Sequence, residues 1–474
     1  MNLFTRKPIE RLLLESEGEK GEGLKRSLSA TSLVALGIGA IIGAGIFTLT
    51  GVAASTHAGP ALVYSFILAA IGCAFAGFCY SEFSTMIPIA GSAYTYAYAT
   101  MGELLAWIIG WALVLEYAVG AATVSVSWSA TIASILGDFG IAIPQSLLAS
   151  PFDVKPGTLN LIAVIVVVGI SSILIIGVQE SARFNAVIVF VKVAVVILFI
   201  VAGYFYINNA NYHPFIPPNT GEFGSFGWSG ILRAAGQIFF AYIGFDAVST
   251  AAQEAKNPKR DMPIGIIGSL AVCTVLYILY SLVLTGVVNY KDLNVAAPLA
   301  VAVDRMKDVP WLGKLMKLGS LLGLTSVILV MLLGQSRVFY SMSRDGLLPK
   351  LFAEIHPKFR TPWRSNLVLM IFVSLGAALS PIAQLGNLTS IGTLFAFVLV
   401  CMGVVIMRKT APDLPRPFRT PLVPLVPILG VLMNFLLMIG LDRLTWTAFL
   451  TWMAIGLFVY FGYSRFHSRL IGSN

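Results

Sequence analysis

The chain reads as an all-α polytopic membrane protein with twelve transmembrane helices, arranged as a five-plus-five inverted repeat followed by two C-terminal helices. Three observations predict this. Of 474 residues, 57% are apolar and only 11% are charged, against about 25% charged in soluble domains. Apolar runs of about 20 residues, long enough to cross a bilayer as a helix, recur along the whole sequence. Two of them, the first and the sixth, are interrupted by glycine at matching places.

The runs place spans at 31–54, 60–86, 102–132, 158–178, 184–206, 230–254, 263–288, 317–342, 364–380, 385–407, 421–440 and 445–464. The third and eighth are long enough to tilt or to extend beyond the lipid. The connecting segments are short, so no soluble domain is expected. Residues 1–30 read as a cytoplasmic tail. They are too long and polar for the n-region of a signal peptide, and the first span reads as uncleaved. Equivalent points of the two interrupted spans lie five spans apart, an odd number, so the second half has inverted topology. The first repeat is then 31–206, with an outer loop at 207–229. The second repeat is 230–407, and 408–474 holds the last two spans and the C-terminus.

Orientation follows from Lys and Arg. With the N-terminus inside, the inner segments hold about 21 of them and the outer segments about seven, the asymmetry of the positive-inside rule. Both termini are therefore expected to be cytoplasmic. The outer segment 289–316 is an exception, carrying Lys291, Arg305, Lys307 and Lys314 beside Asp292, Asp304 and Asp308. An ordered hairpin is expected there. The net charge of +9 belongs to this loop pattern and is no argument for nucleic acid. Cys73, Cys79, Cys273 and Cys401 all fall inside apolar runs, where cysteine acts as a small hydrophobe. His57, His213, His356 and His467 lie outside or at the ends of the spans, which weighs against an intramembrane metal centre. No cofactor pattern is present.

The first interruption reads Gly37-Ile-Gly-Ala-Ile-Ile-Gly-Ala-Gly-Ile-Phe47, and the second Gly236-Gln-Ile-Phe-Phe-Ala-Tyr-Ile-Gly-Phe-Asp246. A helix broken at the midplane leaves N–H and C=O groups that lipid cannot satisfy. A pair of such breaks points to a binding site for a carried solute. The first break is expected near 43–45, with Gly43 allowing it. The half-helix after it would present the N–H groups of Ala44, Gly45 and Ile46 with the positive end of a helix dipole, which suits a carboxylate. The second break is expected near 241–245, presenting the carbonyls of Phe240, Ala241 and Ile243. Those carbonyls, joined by Ile41, would accept from an ammonium group. An anion site facing a cation site fits an α-amino acid zwitterion. Asp246 reads as the N-cap of the inner half of span six. The bland alternative is that these glycines are small-residue packing positions.

Ionisable residues inside the membrane mark function. Lys192 lies nine residues into span five, ~14 Å from its inner end and so near the midplane. It reads as a proton carrier, against the alternative of a permanently charged lysine bracing the broken helix. Glu116, just beyond the midplane of span three, could pair with a lysine, line the pocket or protonate. Glu82 and Glu254, at inner span ends, suggest cytoplasmic-gate networks, and Arg233 suggests an extracellular gate.

At these residues the chain resembles the amino acid–polyamine–organocation superfamily, most closely its cationic amino acid transporter family and bacterial relatives. The resemblance covers nearly the whole sequence. It rests on the two interruptions, on Gly91-Ser-Ala-Tyr-Thr-Tyr96, and on Phe240-Ala-Tyr-Ile-Gly-Phe-Asp-Ala-Val-Ser-Thr250. It also rests on Glu254-Ala-Lys-Asn-Pro-Lys-Arg-Asp-Met-Pro-Ile264, Ser343-Arg-Asp-Gly-Leu-Leu-Pro349 and Arg416-Pro-Phe-Arg-Thr-Pro421. The resemblance implies the fold of the bacterial leucine transporter and alternating access. It implies substrate carboxylate on Ala44 and Gly45, and amine on the carbonyls of Ile41, Phe240, Ala241 and Ile243. Phe245 matches the family's aromatic gate, and Lys192 the lysine that replaces a sodium site in proton-coupled members.

The resulting expectation is a proton-coupled secondary transporter of small to medium neutral L-amino acids in the cell membrane. Met331, midway along span eight, would fill the side-chain pocket with an apolar group. Burying a lysine or arginine side chain without a partner is expensive, which leaves cationic amino acids, or exchange, as the runner-up. A channel would need a filter ring or a continuous polar stripe, and an enzyme a cluster of catalytic groups. Neither is visible.

Overall fold

The computed structural model describes residues 3–8, 28–87, 92–153, 155–177, 182–250, 252, 255–306, 308 and 310–469. Glu254, most of the N-terminal tail and Gly91 lie outside these. The regular secondary structure of the described residues is helical, apart from one isolated β-bridge between Leu28 and Ala255.

The first expected span is α1 (Ala30–Ile41), followed after a gap by helical turns from Gly45 to Ala58. Ser29 caps α1, its hydroxyl accepting from Ser32 N–H. Next come α2 (Leu62–Met86), α3 (Ser92–Thr100), α4 (Glu103–Val114) and α5 (Gly120–Asp138). A wide π-helical turn at Leu115–Val119 joins α4 to α5 into one long element. Then follow α6 (Leu161–Ile176), α7 (Ala182–Tyr204) and α8 (Gly227–Ile238). The second half continues with α9 (Pro258–Val287), α10 (Pro298–Arg305), α11 (Pro310–Arg344), α12 (Trp363–Leu379) and α13 (Ile382–Thr410). The last two are α14 (Leu425–Gly440) and α15 (Arg443–Val459).

Among the described residues, seven stretches are long and apolar enough to cross a membrane, and four shorter apolar helices accompany them. Leucine, isoleucine, valine and phenylalanine cover the lipid-side faces, for example Val187, Phe190, Ile197 and Val201 along α7. The four cysteines are buried and unpaired.

Two segments differ from the sequence reading. Residues 92–100, expected in a connection, form α3. The charged segment 289–316 is ordered but is no hairpin: it holds a short turn at Tyr290–Asp292, α10 and the first turns of α11. Lys317, only 2% exposed, fixes it by bonding Asp138 at the end of α5 (2.9 Å) and Asp304 in α10 (2.8 Å).

Packing pairs the halves. α2 lies against α9, α5 against α11, and α6 against α12. α1 packs on α9 as α8 packs on α2, and α1 on α7 as α8 on α13. Each contact has a counterpart five spans away. The broken segments meet at the centre of this arrangement.

Candidate functional site

Helix α1 stops because Ile42 turns extended (φ −72°, ψ 106°), and the chain resumes helical geometry at Ala44. Helix α8 tightens into a 3₁₀ turn at Phe239–Tyr242, then opens at Ile243 (ψ 136°) and Gly244 (φ +115°). It resumes as the turn Ala247–Thr250. The interruptions thus fall at 42–44 and at 243–246, within two residues of where the glycines put them.

The two breaks touch each other reciprocally. A Cβ on Gly45 would run into the Cα of Ala241. A Cβ on Gly244 would lie 2.8 Å from the carbonyl carbon and oxygen of Ala40. Gly45 therefore clears space for the opposite break, and so lets the two helix ends come side by side. Ile41, Ala44, Ile46, Phe240, Ala241, Ile243 and Phe245 are each 3% exposed or less, and Gly43 and Gly45 are buried too. Water does not reach these groups freely, so their polar backbone atoms need partners.

The first turn of the helix opening at Gly45 has N–H groups with no partner in its own helix. The ends of the preceding half-helices, Ile41 and Ala241, lie beside this turn, Gly45 being against Ala241. Tyr277 of α9 stands between those ends. Its hydroxyl lies 3.0 Å from the carbonyl oxygen of Ile41 and 2.9 Å from that of Ala241. Leaving such a buried carbonyl without a donor would cost about 1–3 kcal/mol. The sequence reading missed Tyr277, because no local pattern links it to either break.

Lys192 is 1% exposed, and its Nζ donates to the carbonyl of Gly39 at 2.6 Å. The amine therefore rests on the last turns of α1. Gly323 of α11 makes room for it: a Cβ there would sit 3.1–3.6 Å from the lysine stem. Four residues along the same face of α11, Val327 meets Gly43, a Cβ on which would lie 3.0 Å from Val327 Cγ2. Met331, one further turn on, packs against Gly120 of α5, in the neighbourhood of Thr389. Val327 thus meets the first break, while Met331, expected in the side-chain pocket, meets Gly120.

Beyond the second break lies a buried polar cluster. Asp246, at the position preceding the turn Ala247–Thr250, accepts from the Tyr117 hydroxyl at 3.0 Å. Glu116 is its neighbour, and the two carboxyl groups interact. Both are at most 1% exposed. Neither Glu116 oxygen has a hydrogen bond of good geometry among the described residues, and nor does Asp246 Oδ1. Glu116 and Tyr117 both lie in the π-helical turn Leu115–Val119. Phe245 is caged by Tyr80 (ring centroids 5.7 Å apart) and Phe397 (5.0 Å).

The gate candidates lie apart from this centre. Glu82 accepts two hydrogen bonds from Arg408 at 2.9 Å each and one from Thr420 N–H at 2.8 Å, with Arg416 at 3.4 Å. It thereby ties α2 to the end of α13 and the segment after it. Arg233 reaches the Gly440 carbonyl at 3.4 Å and lies over the Phe223 ring. Next to α1, the Leu28–Ala255 bridge and a bond from Lys256 N–H to Leu28 (2.8 Å) tie the start of α1 to the chain leaving the second break.

Two crossed, discontinuous helices with a buried lysine behind one and two buried carboxyl groups beside the other define a multi-pass permease. The chain belongs to the amino acid permease family, whose model matches residues 28–464. It is 45% identical over 469 residues to a protein of Bacillus subtilis named methylthioribose transporter, covering 99% of each chain. It is also 45% identical over 473 residues to the branched-chain amino acid permease BcaP of the same bacterium, again over 99% of each. A vacuolar cationic amino acid transporter 4 of Arabidopsis thaliana is 36% identical over 413 residues, covering 87% of this chain and 68% of that one.

Proposed function

We propose that this permease is a proton-coupled transporter of L-amino acids, small to medium neutral ones foremost, working by alternating access. It would lie in the cell membrane with both termini cytoplasmic and cross it twelve times. The reading rests above all on one observation: an opening helix and two closing helix ends converge where the breaks cross, at Gly45 against Ala241. Their opposite partial charges complement a carboxylate and an ammonium on one carbon. The packing of each span like the one five places later supports the inverted repeat. A relative of 45% identity named as a branched-chain permease supports a neutral substrate.

In the proposed mechanism the substrate carboxylate lies on the N–H groups of Ala44, Gly45 and Ile46. The amine lies on the carbonyls of Ile41, Phe240, Ala241 and Ile243. Lys192, seated on Gly39, carries the coupling proton. Its charged form pulls on the carbonyl end of α1 and its neutral form does so less. That difference biases the position of α1, as a coupled conformational change requires. The test is accumulation in proteoliposomes under imposed gradients. Uptake driven by an inward proton gradient, and lost in Lys192→Ala, is expected. Uptake that needs sodium and ignores pH contradicts the proposal.

A second reading is a cationic substrate. Glu116 and Asp246, buried next to Phe245, would supply the negative partners that a lysine or arginine side chain needs. Competition of the labelled substrate by L-leucine, L-arginine and methylthioribose separates these readings. The last tests whether this chain shares the solute named for its Bacillus subtilis relative.

A further inference from the structure

We propose that the Tyr277 hydroxyl stands in for the substrate's amine when the permease is empty, and so decides whether it can complete a cycle without a return substrate. The inference rests on the reading that the amine sits on the carbonyls of Ile41 and Ala241.

The geometry carries the argument. Both carbonyls end a half-helix, where the negative end of the dipole and an unpaired acceptor coincide. One hydroxyl is placed 3.0 Å from the first and 2.9 Å from the second. It is fully buried, and its ring is held by Phe66 (centroids 5.5 Å apart) and Tyr242 (5.4 Å). Tyr242 is fixed in turn by donating to the Phe66 carbonyl at 3.1 Å. The hydroxyl is therefore aimed, and cannot swing away.

A phenol has one proton to donate and the two carbonyls are two acceptors. An ammonium has three N–H groups. With substrate bound, the amine can satisfy both carbonyls and the hydroxyl is spare. In the empty protein the hydroxyl is the donor that the two carbonyls share. Removing it penalises the empty states and spares the loaded ones. Net uptake requires the empty site to reorient, whereas exchange moves loaded in both directions. The two modes should separate in Tyr277→Phe, which keeps the ring and its packing and loses only the O–H.

The experiment uses purified full-length protein in proteoliposomes. The label is whichever of radiolabelled L-alanine, L-leucine or L-arginine the wild type takes up best. Uptake is read into empty vesicles and into vesicles preloaded with the same unlabelled amino acid. Tyr277→Phe should lose about tenfold or more in the first mode and less than about threefold in the second, the loss expected for a buried acceptor left without its donor. Equal losses in both modes, or no loss in either, overturn the proposal. Should Tyr277→Phe fail to hold its fold when empty, extraction in saturating substrate should restore a monodisperse protein. Failure to restore it contradicts the stand-in role. A control separates the two layers of the argument. The α-hydroxy acid analogue, which lacks the ammonium, should not compete in the wild type. If it competes as well as the amino acid, the amine reading itself fails, whatever Tyr277→Phe does.

Discussion

The two breaks share a sequence signal and differ in construction. The first uses backbone alone: Ile42 and Ala44, both fully buried, flank Gly43, and the helix reopens within three residues. The second tightens before it opens, needs a left-handed glycine at Gly244, and brings an acid, Asp246, to the centre. Gly45 gives clearance for Ala241 at an ordinary backbone angle, whereas Gly244 supplies both clearance for Ala40 and a backbone angle other residues avoid. On the proposed reading, one break is a fixed dipole for the invariant carboxylate of an amino acid, and the other adds an acid that would tell substrates apart. Equal glycine spacing in a sequence does not imply equal roles.

The largest expected effects come from filling the clearances. Gly244→Ala meets two penalties, roughly 1–2 kcal/mol for the left-handed backbone and a further ~1–3 kcal/mol of overpacking against Ala40. Gly45→Ala meets no backbone penalty but a tighter clash, with the backbone of Ala241. Both purified variants should unfold at lower temperature than wild type. A wild-type midpoint in either would refute the close contact at that glycine. Gly45→Leu should abolish amino acid binding, and undiminished binding by a well-folded sample would refute the close crossing.

Smaller effects should separate the contact at the first break from the α11 contact one turn beyond it. Met331→Ser enlarges and polarises the region beside Gly120 and should shift competition toward longer or cationic side chains by about tenfold, the usual worth of a pocket contact. Val327→Ala, which relaxes the contact with Gly43, should weaken all substrates together without changing their order. A reordered profile in Val327→Ala, or an unchanged one in Met331→Ser, would reverse the assignment of the two positions.

Much of this was legible because the signals are local. Apolar runs marked where the helices lie, and glycine placed both interruptions to within two residues. Lys192 was conspicuous as a charge deep in an apolar run, and it does rest on α1. The rest depends on contacts far apart in sequence. Tyr277 is 236 residues from Ile41 and 36 from Ala241, and an aromatic residue in a span reads as ordinary packing. Val327 is one aliphatic residue among many on α11. Glu116 and Asp246 are 130 residues apart in sequence, and no local pattern announced that they meet. Helix α3 was hidden because it lies between spans and its residues read as a connecting motif.

The central claim is that the crossed breaks hold an amino acid by its two charged ends. An experimental structure with the transported amino acid bound tests it most directly. The account predicts carboxylate oxygens ~3 Å from the N–H groups of Ala44 and Gly45, and the amine at a similar distance from the carbonyls of Ile41 and Ala241. An amino acid bound in the reverse orientation, or held by side chains away from the crossing, would contradict it.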